Sequence, residues 1–479
     1  MDSGGPTDSR ITARGLSRAL GGWRTREPAY EALADGIRLL CLDNRLAPRT
    51  ALPAERELAH ALGLSRTTVA AAYRSLRASA HIESLRGSGS VTLPLGRRVS
   101  ERDAVPADDI DLAQASPAAW PGLAGLMSET ALDTAALVSR AGYDIVGSTA
   151  LRAAIADRYT ARGIPTSPDQ VMVTTGAQSA IHLLAETMLR RGSRAAIETP
   201  TYPHAAEALR GAGARLVSIP VSVDDGWDLD RAMQALDRAR PTLAYLMPAF
   251  QNPTGRSMSI DEQEVIARSA AAAGTLLVVD ETTGELAIDP LGEEEPTPFA
   301  RTGVVRVGSL GKTVWGGLRI GWIRAAPDLI RRIIALRPSR ELGTPEFEQA
   351  VAVRLLQRMP EILAQRAQLL GEGRDALVGA LREEIPAWRV PDVPGGVCVW
   401  VELDAPLSSG LVMAARARGV HLSAGPRFSP DGGHERHLRI PFTAPPEQLR
   451  RAVRVLGEVW PSVRAAAPSP AGEVLAAVV

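Results

Sequence analysis

Between residues 171 and 312, short apolar runs alternate with segments of helical pattern, and this alternation constrains the fold more than any other feature. The runs are VMVTTG, RAAIETP, TLAYLMPAF, TLLVVDE and VVRVGSLGK. Parallel strands need a crossover connection, usually a helix, so the pattern predicts a wrapped α/β sheet. The chain then changes to a helix at 363–384, two strands and a final helix at 446–457, which predicts a smaller α+β lobe.

Size and composition exclude several classes of protein. A length of 479 residues is too great for one small core and indicates more than one domain. The sequence has no apolar run near the roughly 20 residues of a membrane helix, and its start, MDSGGPTDSR, has no apolar signal core, so we expect a cytoplasmic location. Cys41 and Cys398 lie far apart in sequence, so neither a disulfide framework nor a cysteine metal site is indicated.

Charge is unevenly distributed along the chain. Residues 1–100 contain 15 Arg and 9 Asp plus Glu, an excess of six positive charges, whereas the whole chain is neutral. A basic segment on a neutral chain is typical of a nucleic-acid-binding domain, although a solvated basic face gives the same count. Of the 54 basic residues, Lys312 is the only lysine. A guanidinium neither deprotonates nor forms an imine, so Lys312 is a candidate for amine chemistry.

Residues 26–93 follow the order of a winged helix-turn-helix. Apolar positions recur at helical spacing from Tyr30 to Leu40, a second helix begins near Pro53, and Ser65 is placed to cap a third helix. The run HIESLRGSGSVTL then predicts a hairpin around a Gly-Ser-Gly turn. Three helices closed by a hairpin predict a DNA-binding head.

The recognition helix of such a head reads the major groove with its first residues. We therefore predict DNA contacts at Ser65, Arg66, Thr67 and Thr68. Further contacts, to the backbone and the minor groove, are predicted at Arg49, Arg56, Arg86, Gly87, Ser88 and Gly89. Each residue taken singly has a structural alternative, such as an ion pair of Arg56 with Glu55 or Glu57, but their order favours DNA binding.

The head resembles a GntR-type winged helix over residues 28–92. The resemblance lies in PAYEALADGIRLL, in LPAERELAHALGLSRTTVAAAYRSL and in RGSGSVTL, with the LP-x-ER-x-LA and G-x-SR-x-TV phrases in the family's order. The sequence departs from that pattern at Ala54, where the family usually has serine. That departure removes a possible phosphate hydroxyl and helix cap.

In the large region, special residues stand just past the apolar strands, where wound α/β sheets bind ligands. The turn TGAQ opens a helix with free amides, which predicts a phosphate held at Gly176, Ala177 and Gln178. Tyr202 can stack on a flat heterocycle, and Asn252 in the NPTG run can donate to a phenolate oxygen. Alone, NPTG is commonly a turn and a single tyrosine is commonly a core residue.

Two further elements complete this pattern. Asp280 ends the run TLLVVD, and a carboxylate buried beside a pyridine nitrogen keeps that nitrogen protonated, so that the ring withdraws electrons. The run SLGK, followed by Arg319, places the amine of Lys312 between two candidate phosphate ligands, Ser309 and Arg319. A strand-terminal aspartate alone often caps a helix or pairs with arginine. The joint occurrence of these elements in this order favours a cofactor site.

This order resembles the fold-type-I aminotransferases across residues 110–465. The resemblance implies a large mixed-sheet domain with a smaller α+β C-terminal lobe, and it implies pyridoxal 5'-phosphate (PLP) as the cofactor. It further implies that Lys312 forms a Schiff base, that Asp280 binds the pyridine nitrogen and that Asn252 binds the ring hydroxyl. Tyr202 would stack on the ring.

The same resemblance extends to four other residues. Tyr143, in GYDIVGSTALRAAIADRY, matches a tyrosine that reaches the neighbouring subunit's phosphate. Arg439, in HLRIPF, matches the arginine that clamps a substrate α-carboxylate, so it is the predicted effector ligand. Thr282 stands where relatives often have a tyrosine that touches the cofactor oxygen, and its shorter side chain is expected to change the tuning of the cofactor rather than its binding. His204 could line a side-chain pocket, but a lone histidine is more often incidental.

A GntR-type head at 26–93, a linker at 94–109 and an aminotransferase-like domain at 110–465 together resemble the MocR family of regulators. The resemblance implies a transcription regulator whose large domain senses PLP or an amino-acid-like effector. It also implies a homodimer paired head to tail, each head crossing to its partner, on an operator with repeated half-sites. Residues 1–25 have no steady period and are predicted to form a mobile tail.

Two other functions stay open on the sequence. All residues needed for transamination are present, so the chain could be an aminotransferase whose head localises or regulates it. A sensor of PLP alone would need no carboxylate clamp, and Arg439 argues against it. Thr282 and the DNA-binding head favour regulation over catalysis.

Overall fold

The computed structural model describes residues 9–21, 23, 28–42, 45–85, 89–93, 109–139, 141–289, 299–300, 303–430 and 432–466. Within these ranges the chain forms an N-terminal head, a large domain around an eight-stranded sheet and a small C-terminal lobe. No helix in these ranges is both long enough and apolar enough to span a membrane.

The head is a winged helix-turn-helix, as predicted. Its elements are β1 (Ser9–Arg10), α1 (Ala13–Leu20), α2 (Ala29–Leu42), β2 (Thr50–Ala51), α3 (Glu55–Leu62), α4 (Arg66–Ala78), β3 (Ile82–Leu85) and β4 (Gly89–Thr92). β3 and β4 pair antiparallel as the wing, and β2 pairs with β4. Buried Leu33, Leu58 and Val69 join the three predicted helices in one core. The predicted linker lies outside the described residues except at position 109.

The prediction of a mobile N-terminal tail is wrong for residues 9–21. Thr12 caps α1, because its hydroxyl accepts a hydrogen bond from Gly15 N at 3.1 Å. Leu16 and Leu20 are buried in the core of the head. A helix of eight residues offers only two large apolar side chains to the core, too few for a period to stand out in the sequence.

The large domain is built on a mixed sheet, which confirms the predicted fold class. β5 (Ile110–Asp111) precedes this domain and pairs with a strand of the small lobe. The elements of the large domain are α5 (Leu123–Leu132), α6 (Ala135–Val138), α7 (Thr149–Ala161), β6 (Val171–Thr174), α8 (Ala177–Met188), β7 (Arg194–Thr199), α9 (Pro203–Gly211), β8 (Arg215–Ser222), β9 (Gly226–Trp227), α10 (Leu229–Ala239), β10 (Leu243–Leu246), α11 (Ile260–Ala273), β11 (Leu276–Asp280), β12 (Val305–Ser309), β13 (Gly321–Arg324) and α12 (Pro327–Leu336). The strand order is β6, β13, β12, β11, β10, β7, β8 and β9. β13 runs antiparallel to both of its neighbours, whereas β12, β11, β10, β7 and β8 are parallel.

Both faces of this sheet are covered by apolar side chains. On β10, Tyr245 packs into the cluster on one face, whereas Ala244 and Leu246 pack into the cluster on the other face. A strand that is buried on both faces consists of a nearly continuous apolar run. Because the central strands are parallel, their carboxyl ends meet at one edge of the sheet, and the predicted site residues lie at that edge.

The remaining elements form the small lobe and the helices that lead to it. They are α13 (Glu346–Gln357), α14 (Met359–Glu384), β14 (Cys398–Glu402), α15 (Ser408–Arg416), β15 (Val420–His421), β16 (Ser423–Ala424), β17 (His437–Pro441) and α16 (Pro446–Ala466). β17 lies between β14 and β16 and is antiparallel to both. Cys41 and Cys398 are buried as free thiols.

The head packs against the small lobe of its own chain. α2 contacts α15, and Leu39 of α2 is buried in the core of the lobe. The approach is close, since a Cβ atom at Gly21 would overlap the Glu435 carboxylate. Head and lobe thus share a packed interface, while the head-to-tail dimer stays a prediction.

Candidate functional site

A cavity with a volume of about 690 Å³ opens at the carboxyl ends of the central strands. The predicted residues in its wall are Ala177, Gln178, Tyr202, Asn252, Asp280, Thr282, Ser309, Lys312, Arg319 and Arg439. Asp280 ends β11 and Ser309 ends β12, so the strand ends position these residues. Arg439 comes from β17 of the small lobe, which closes one side of the cavity.

The N-terminus of α8 forms one end of the cavity. Gly176 stands before this helix with φ of 81°, and a Cβ atom there would lie 2.8 Å from Arg319 Nη2. The Arg319 guanidinium donates to Thr175 O at 2.9 Å, which fixes it against the turn. Ser309 donates to Ile320 O at 2.9 Å, so its hydroxyl proton is already engaged. Free amides, the helix dipole and a guanidinium together make an anion site.

Asp280 is buried in the floor of the cavity. Thr282 N donates to its Oδ1 at 2.9 Å, and the hydroxyl of Tyr245 donates to its Oδ2. Burial raises the pKa of Asp280, and the hydrogen bonds from Tyr245 and Thr282 act in the opposite direction. Asp280 is therefore a carboxyl group whose ionisation depends on its hydrogen-bond donors and on what binds in the cavity.

Tyr202 and Asn252 reach the cavity from the ends of β7 and β10. Burial raises the pKa of Tyr202 to about 12, so its hydroxyl stays protonated. Its ring meets the ring of His204 edge to face at 5.4 Å. Asn252 is 8 % exposed, with its amide in the wall. His204 also lines the cavity, but its imidazole pairs with Glu207 at 2.8 Å.

Lys312 projects into the cavity from the loop after β12. Its ammonium group donates to the carbonyl oxygen of Ala115. Burial lowers the pKa of Lys312 to about 8, and the charge of Arg439 acts in the same direction. A neutral amine is nucleophilic, so this lysine is prepared for attack on a carbonyl carbon.

Arg439 is 6 % exposed and lies in the same wall. It donates to Ala113 O, and its guanidinium carbon lies 4.7 Å from the centre of the Phe428 ring. Its Nε atom is buried and has no hydrogen-bond partner among the described residues. A buried guanidinium with an unsatisfied donor is a site for a carboxylate.

Two predicted residues are not in the wall. Gly176 lies directly behind it, beside Arg319. Tyr143 is 74 % exposed on the surface, with Leu132 and Val138 exposed nearby along the chain. Such exposure is compatible with a role in a neighbouring subunit, and that role stays a prediction.

Several residues of the site were not predicted from the sequence. Tyr245 orients Asp280, Phe428 contacts Arg439, and the carbonyls of Ala113 and Ala115 bind the two cations. Glu198, deep behind the cavity, bonds to Trp227 Nε1 at 2.9 Å. Burial raises the pKa of Glu198 to about 7. A buried glutamate at the end of an apolar strand is the one sequence signal that could have indicated this second carboxyl group.

The residues present fit PLP. The anion site at α8, the carboxyl group of Asp280 and the amine of Lys312 match a phosphate, a pyridine nitrogen and an aldehyde. Among the described residues, Gln178 Oε1 is a second buried polar atom in this region without a hydrogen-bond partner. A buried polar atom without a hydrogen-bond partner is costly in a folded protein, and a ligand with several polar groups would supply such partners.

The recognition helix presents a separate surface. Ser65 caps α4, since its Oγ accepts from Thr68 N at 3.1 Å, and it lies 2.8 Å from Thr67 Oγ1. The side chain of Arg66 is 74 % exposed, and its Nε lies 3.8 Å from Glu55 Oε2. Ser65 thus shapes the helix start, while Arg66 and Thr67 remain available to a groove.

The other predicted DNA contacts lie around this helix. Arg56 is exposed on α3, and the N-cap residue Ala54 gives that helix no side-chain cap, as its departure from the family pattern predicts. Arg49 has a φ of 63° and binds Thr92 O through its amide at 2.8 Å. Gly89 has a φ of 81° where β4 begins. Arg86, Gly87 and Ser88 lie outside the described residues.

Comparison with known proteins separates the chain into the same two parts. The family model "Aminotransferase class I and II" matches residues 129–456. The model "Bacterial regulatory proteins, gntR family" matches residues 29–91. The structure of LysN, an α-aminoadipate aminotransferase from Thermus thermophilus solved with N-(5'-phosphopyridoxyl)-L-leucine, is similar with a TM-score of 0.69 and 28 % identity over 77 % of this chain and 96 % of that chain.

Several relatives are named as regulators. The uncharacterized HTH-type transcriptional regulator YdcR of Escherichia coli is 27 % identical over 90 % of this chain and 98 % of its own length. The probable rhizopine catabolism regulatory protein MocR of Rhizobium meliloti is 29 % identical over 63 % of this chain and 66 % of its own length. PLP is the cofactor that the matched family and its solved complex imply. The chain therefore belongs to the aminotransferase class I and II family, and its GntR-family head gives it the architecture of a MocR-type regulator.

Proposed function

We propose that this chain is a PLP-dependent, DNA-binding transcription regulator whose large domain senses PLP, an amino-acid-like effector, or both. The observation that carries the proposal is the packing of α2 on the lobe that supplies Arg439 to the cofactor cavity. A ligand that draws this lobe toward the cavity also acts on the surface that holds the head. Differential affinity for two such arrangements is all that a switch requires.

The cavity would hold PLP by its polar groups. The phosphate would lie at the amides of Ala177 and Gln178, with Gly176 allowing the close approach and with Ser309 and Arg319 beside it. Asp280 would face the ring nitrogen, Asn252 the ring hydroxyl and Tyr202 the face of the ring. The amine of Lys312 would bond to the aldehyde carbon of PLP. When bound, PLP supplies that aldehyde and a ring that withdraws electrons.

The chain's own residues prepare the site for this ligand. The lowered pKa of Lys312, about 8, keeps part of the amine neutral near neutral pH. Tyr245 and Thr282 donate to Asp280 and favour its ionised form, which a protonated ring nitrogen needs as a partner. Thr282 contributes through its backbone amide, so its short side chain does not prevent this role.

Arg439 would select an effector by its carboxylate. Its guanidinium is buried, is held by Ala113 O and Phe428, and keeps Nε available. A planar fork recognises a carboxylate through two parallel hydrogen bonds, which suits an amino acid. An effector held there would bind the large domain and the small lobe together.

DNA recognition would lie in α4. Arg66 and Thr67 face solvent at its start, where a recognition helix meets base edges. Arg49, Arg56 and the wing residues would add contacts to the backbone and the minor groove. A homodimer, with Tyr143 serving the partner's site, would match an operator with repeated half-sites.

Transamination is a second candidate function. Lys312 and Arg439 line one cavity, and the chain is similar to the aminotransferase LysN over most of its large domain. An amine of lowered pKa beside a carboxylate clamp suits catalysis as well as sensing.

One experiment separates them. Genomic fragments bound by the full-length holoprotein are identified first, and their binding is then titrated with and without added PLP and amino acids. Turnover of amino donors is measured on the same preparation. We expect DNA affinity to change at least several-fold with one of these ligands. Rapid turnover together with DNA affinity that is indifferent to every ligand would overturn the regulatory function in favour of the enzyme.

A further inference from the structure

A second cavity, with a volume of about 420 Å³, lies where the head meets the large domain. The head contributes Gly15, Arg18, Ala19 and Arg45 to its wall. The opposite wall consists of Thr201, residues of α9 such as Arg210, and residues of the segment that follows β16, such as Arg427. We call it the junction cavity.

The junction cavity is distinct from the cofactor cavity but adjoins it. Pro203, Arg427 and Phe428 line both of them. Lys312, Asp280 and the other proposed cofactor ligands are absent from the wall of the junction cavity. A ligand in it would therefore occupy a separate site, one shared between the head and the large domain.

The wall of the junction cavity is strongly basic. Four arginines and one glutamate, Glu207, line it, which is a formal excess of three positive charges. Arg210 donates to Pro430 O, and Arg427 donates to Glu207 Oε1 at 2.7 Å. A guanidinium carries five N–H donors, so these anchoring bonds hold each side chain in place and leave other donors for a ligand.

Glu207 does not neutralise this wall. Burial alone would raise the pKa of Glu207, but the hydrogen bonds from His204 and Arg427 and their charges bring it to about 2. Glu207 thus stays ionised, and its two oxygens accept hydrogen bonds from Arg427 and His204. The positive charges of Arg18 and Arg210 remain as the excess, while the charge of Arg45 also acts on Glu435, which lies outside this wall.

A second and independent observation comes from Thr201. Its side chain is 0 % exposed and lies in the wall, and its Oγ1 has no hydrogen-bond partner among the described residues. Its amide donates to Phe428 O at 2.8 Å, so the backbone is fixed in this position. A buried hydroxyl without a partner is destabilising unless a ligand or water in the cavity satisfies it.

We propose that the junction cavity binds a small anion with two or more negative charges, of the phosphate-ester or dicarboxylate class. Guanidinium groups bind both kinds of oxyanion through paired hydrogen bonds, and the excess of charge favours a multiply charged ligand. Such an anion would join Arg18 and Arg45 of the head to Arg210 of the large domain. Its binding does not depend on the proposed regulatory function.

The test uses the full-length holoprotein in calorimetric titrations at low ionic strength, with phosphate, malonate and acetate as probes. Bound cofactor fills the other anion site, and its absorbance band reports any probe that enters the cofactor cavity. We expect saturable binding of phosphate or malonate with one site per chain, an unchanged band, and weak binding of acetate. Whether phosphate or malonate binds more tightly distinguishes the two ligand classes.

Three variants make the proposal falsifiable. Arg210→Gln, at an exposed position, should weaken binding of the preferred anion roughly tenfold or more. Arg238→Gln, at an exposed position on α10 away from both cavities, is the matched control and should bind as the wild type does. Thr201→Val keeps the side-chain volume and removes the unsatisfied hydroxyl. It should therefore weaken binding of the anion several-fold without lowering the melting temperature of the protein. Anion affinities that are unchanged in both Arg210→Gln and Thr201→Val would overturn the proposal, even if ligand-dependent DNA binding is found.

Discussion

Tyr245, in the middle of β10, donates a hydrogen bond to the carboxylate of Asp280 at the end of the neighbouring strand β11. The amide of Thr282 donates to the other carboxylate oxygen at 2.9 Å. Burial raises the pKa of Asp280, and these two donors oppose that shift. These two donors thus favour the anionic form of the group that we propose to face the ring nitrogen.

Tyr245→Phe should weaken cofactor retention about tenfold, because a hydrogen bond to a charged group contributes roughly 1.5–3 kcal/mol. Dialysis of the holoprotein followed by measurement of the remaining absorbance checks this. Tyr159→Phe is the control, since the Tyr159 hydroxyl donates to Glu281 at 2.7 Å and does not line the cofactor cavity. Equal cofactor retention in wild type and Tyr245→Phe would show that the Tyr245 hydroxyl does not contribute to cofactor binding.

Covalent capture of PLP by the apoprotein should become faster with rising pH up to about pH 8 and then level off. The reason is that burial lowers the pKa of Lys312 to about 8, so the neutral amine predominates above that pH. Borohydride fixation followed by mass measurement at each pH gives the profile. Lys312→Arg keeps the positive charge but forms no imine, so it should gain no mass. A rate that is still rising at about pH 10 would show an unperturbed lysine.

Arg66→Ala should reduce specific DNA affinity by roughly 5- to 150-fold, because a good base contact contributes about 1–3 kcal/mol. The cofactor spectrum should not change, since Arg66 lies in the head. Its ion pair with Glu55, at 3.8 Å and largely exposed, contributes at most about 1 kcal/mol to stability. Arg74→Ala, at an exposed position further along α4, is the control in the same mobility-shift assay. Wild-type affinity in Arg66→Ala would contradict the proposed contact.

Arg439→Lys should abolish the preference for amines that bear a carboxylate over amines that lack one. Lysine keeps the charge but loses the planar fork, so the two classes should perturb the cofactor spectrum to a similar degree. Spectral titration with a series of amino acids and their decarboxylated analogues measures this. Arg436→Lys, at an exposed position just before β17, serves as the control. Retained preference in Arg439→Lys would mean that another group binds the effector.

The protein should sediment as a homodimer, because the role that we propose for Tyr143, which is 74 % exposed, requires a cofactor in a neighbouring subunit. Leu132, 86 % exposed on α5, is an apolar side chain that a dimer would cover. Leu132→Asp should shift the protein toward monomer and weaken cofactor retention. Leu369→Asp, also exposed but on α14, should do neither. A wild-type protein that sediments as a monomer would refute the shared site.

The strand-end residues of the site were predictable because their positions follow from local pattern. Asp280 ends one continuous apolar run and Asn252 lies in the loop that follows another, and such runs are strands buried on both faces. The edge where ligands bind is then fixed by the parallel arrangement. The residues that line the cavity could therefore be predicted without knowledge of the contacts themselves.

The partners of these residues were not predictable for an equally physical reason. Tyr245 lies inside a strand and has the sequence environment of an ordinary core residue. The carbonyl of Ala115 binds Lys312 from 197 positions away, and a backbone oxygen carries no sequence signature. Helix α1 escaped prediction because its cap and its two buried leucines are too few for a period. Contacts that depend on tertiary approach need the structure.

The single lysine also makes the protein unusually simple to label. Apart from the amino terminus, Lys312 holds the only amine in the chain, and its side chain lies in the cofactor cavity. Lys312 is therefore the only side-chain amine that an acylating reagent can modify, and it reacts only when that amine is accessible. The extent of acylation at Lys312, measured apart from that of the amino terminus, becomes a direct count of empty cavities, without any need for a coloured cofactor or a substrate.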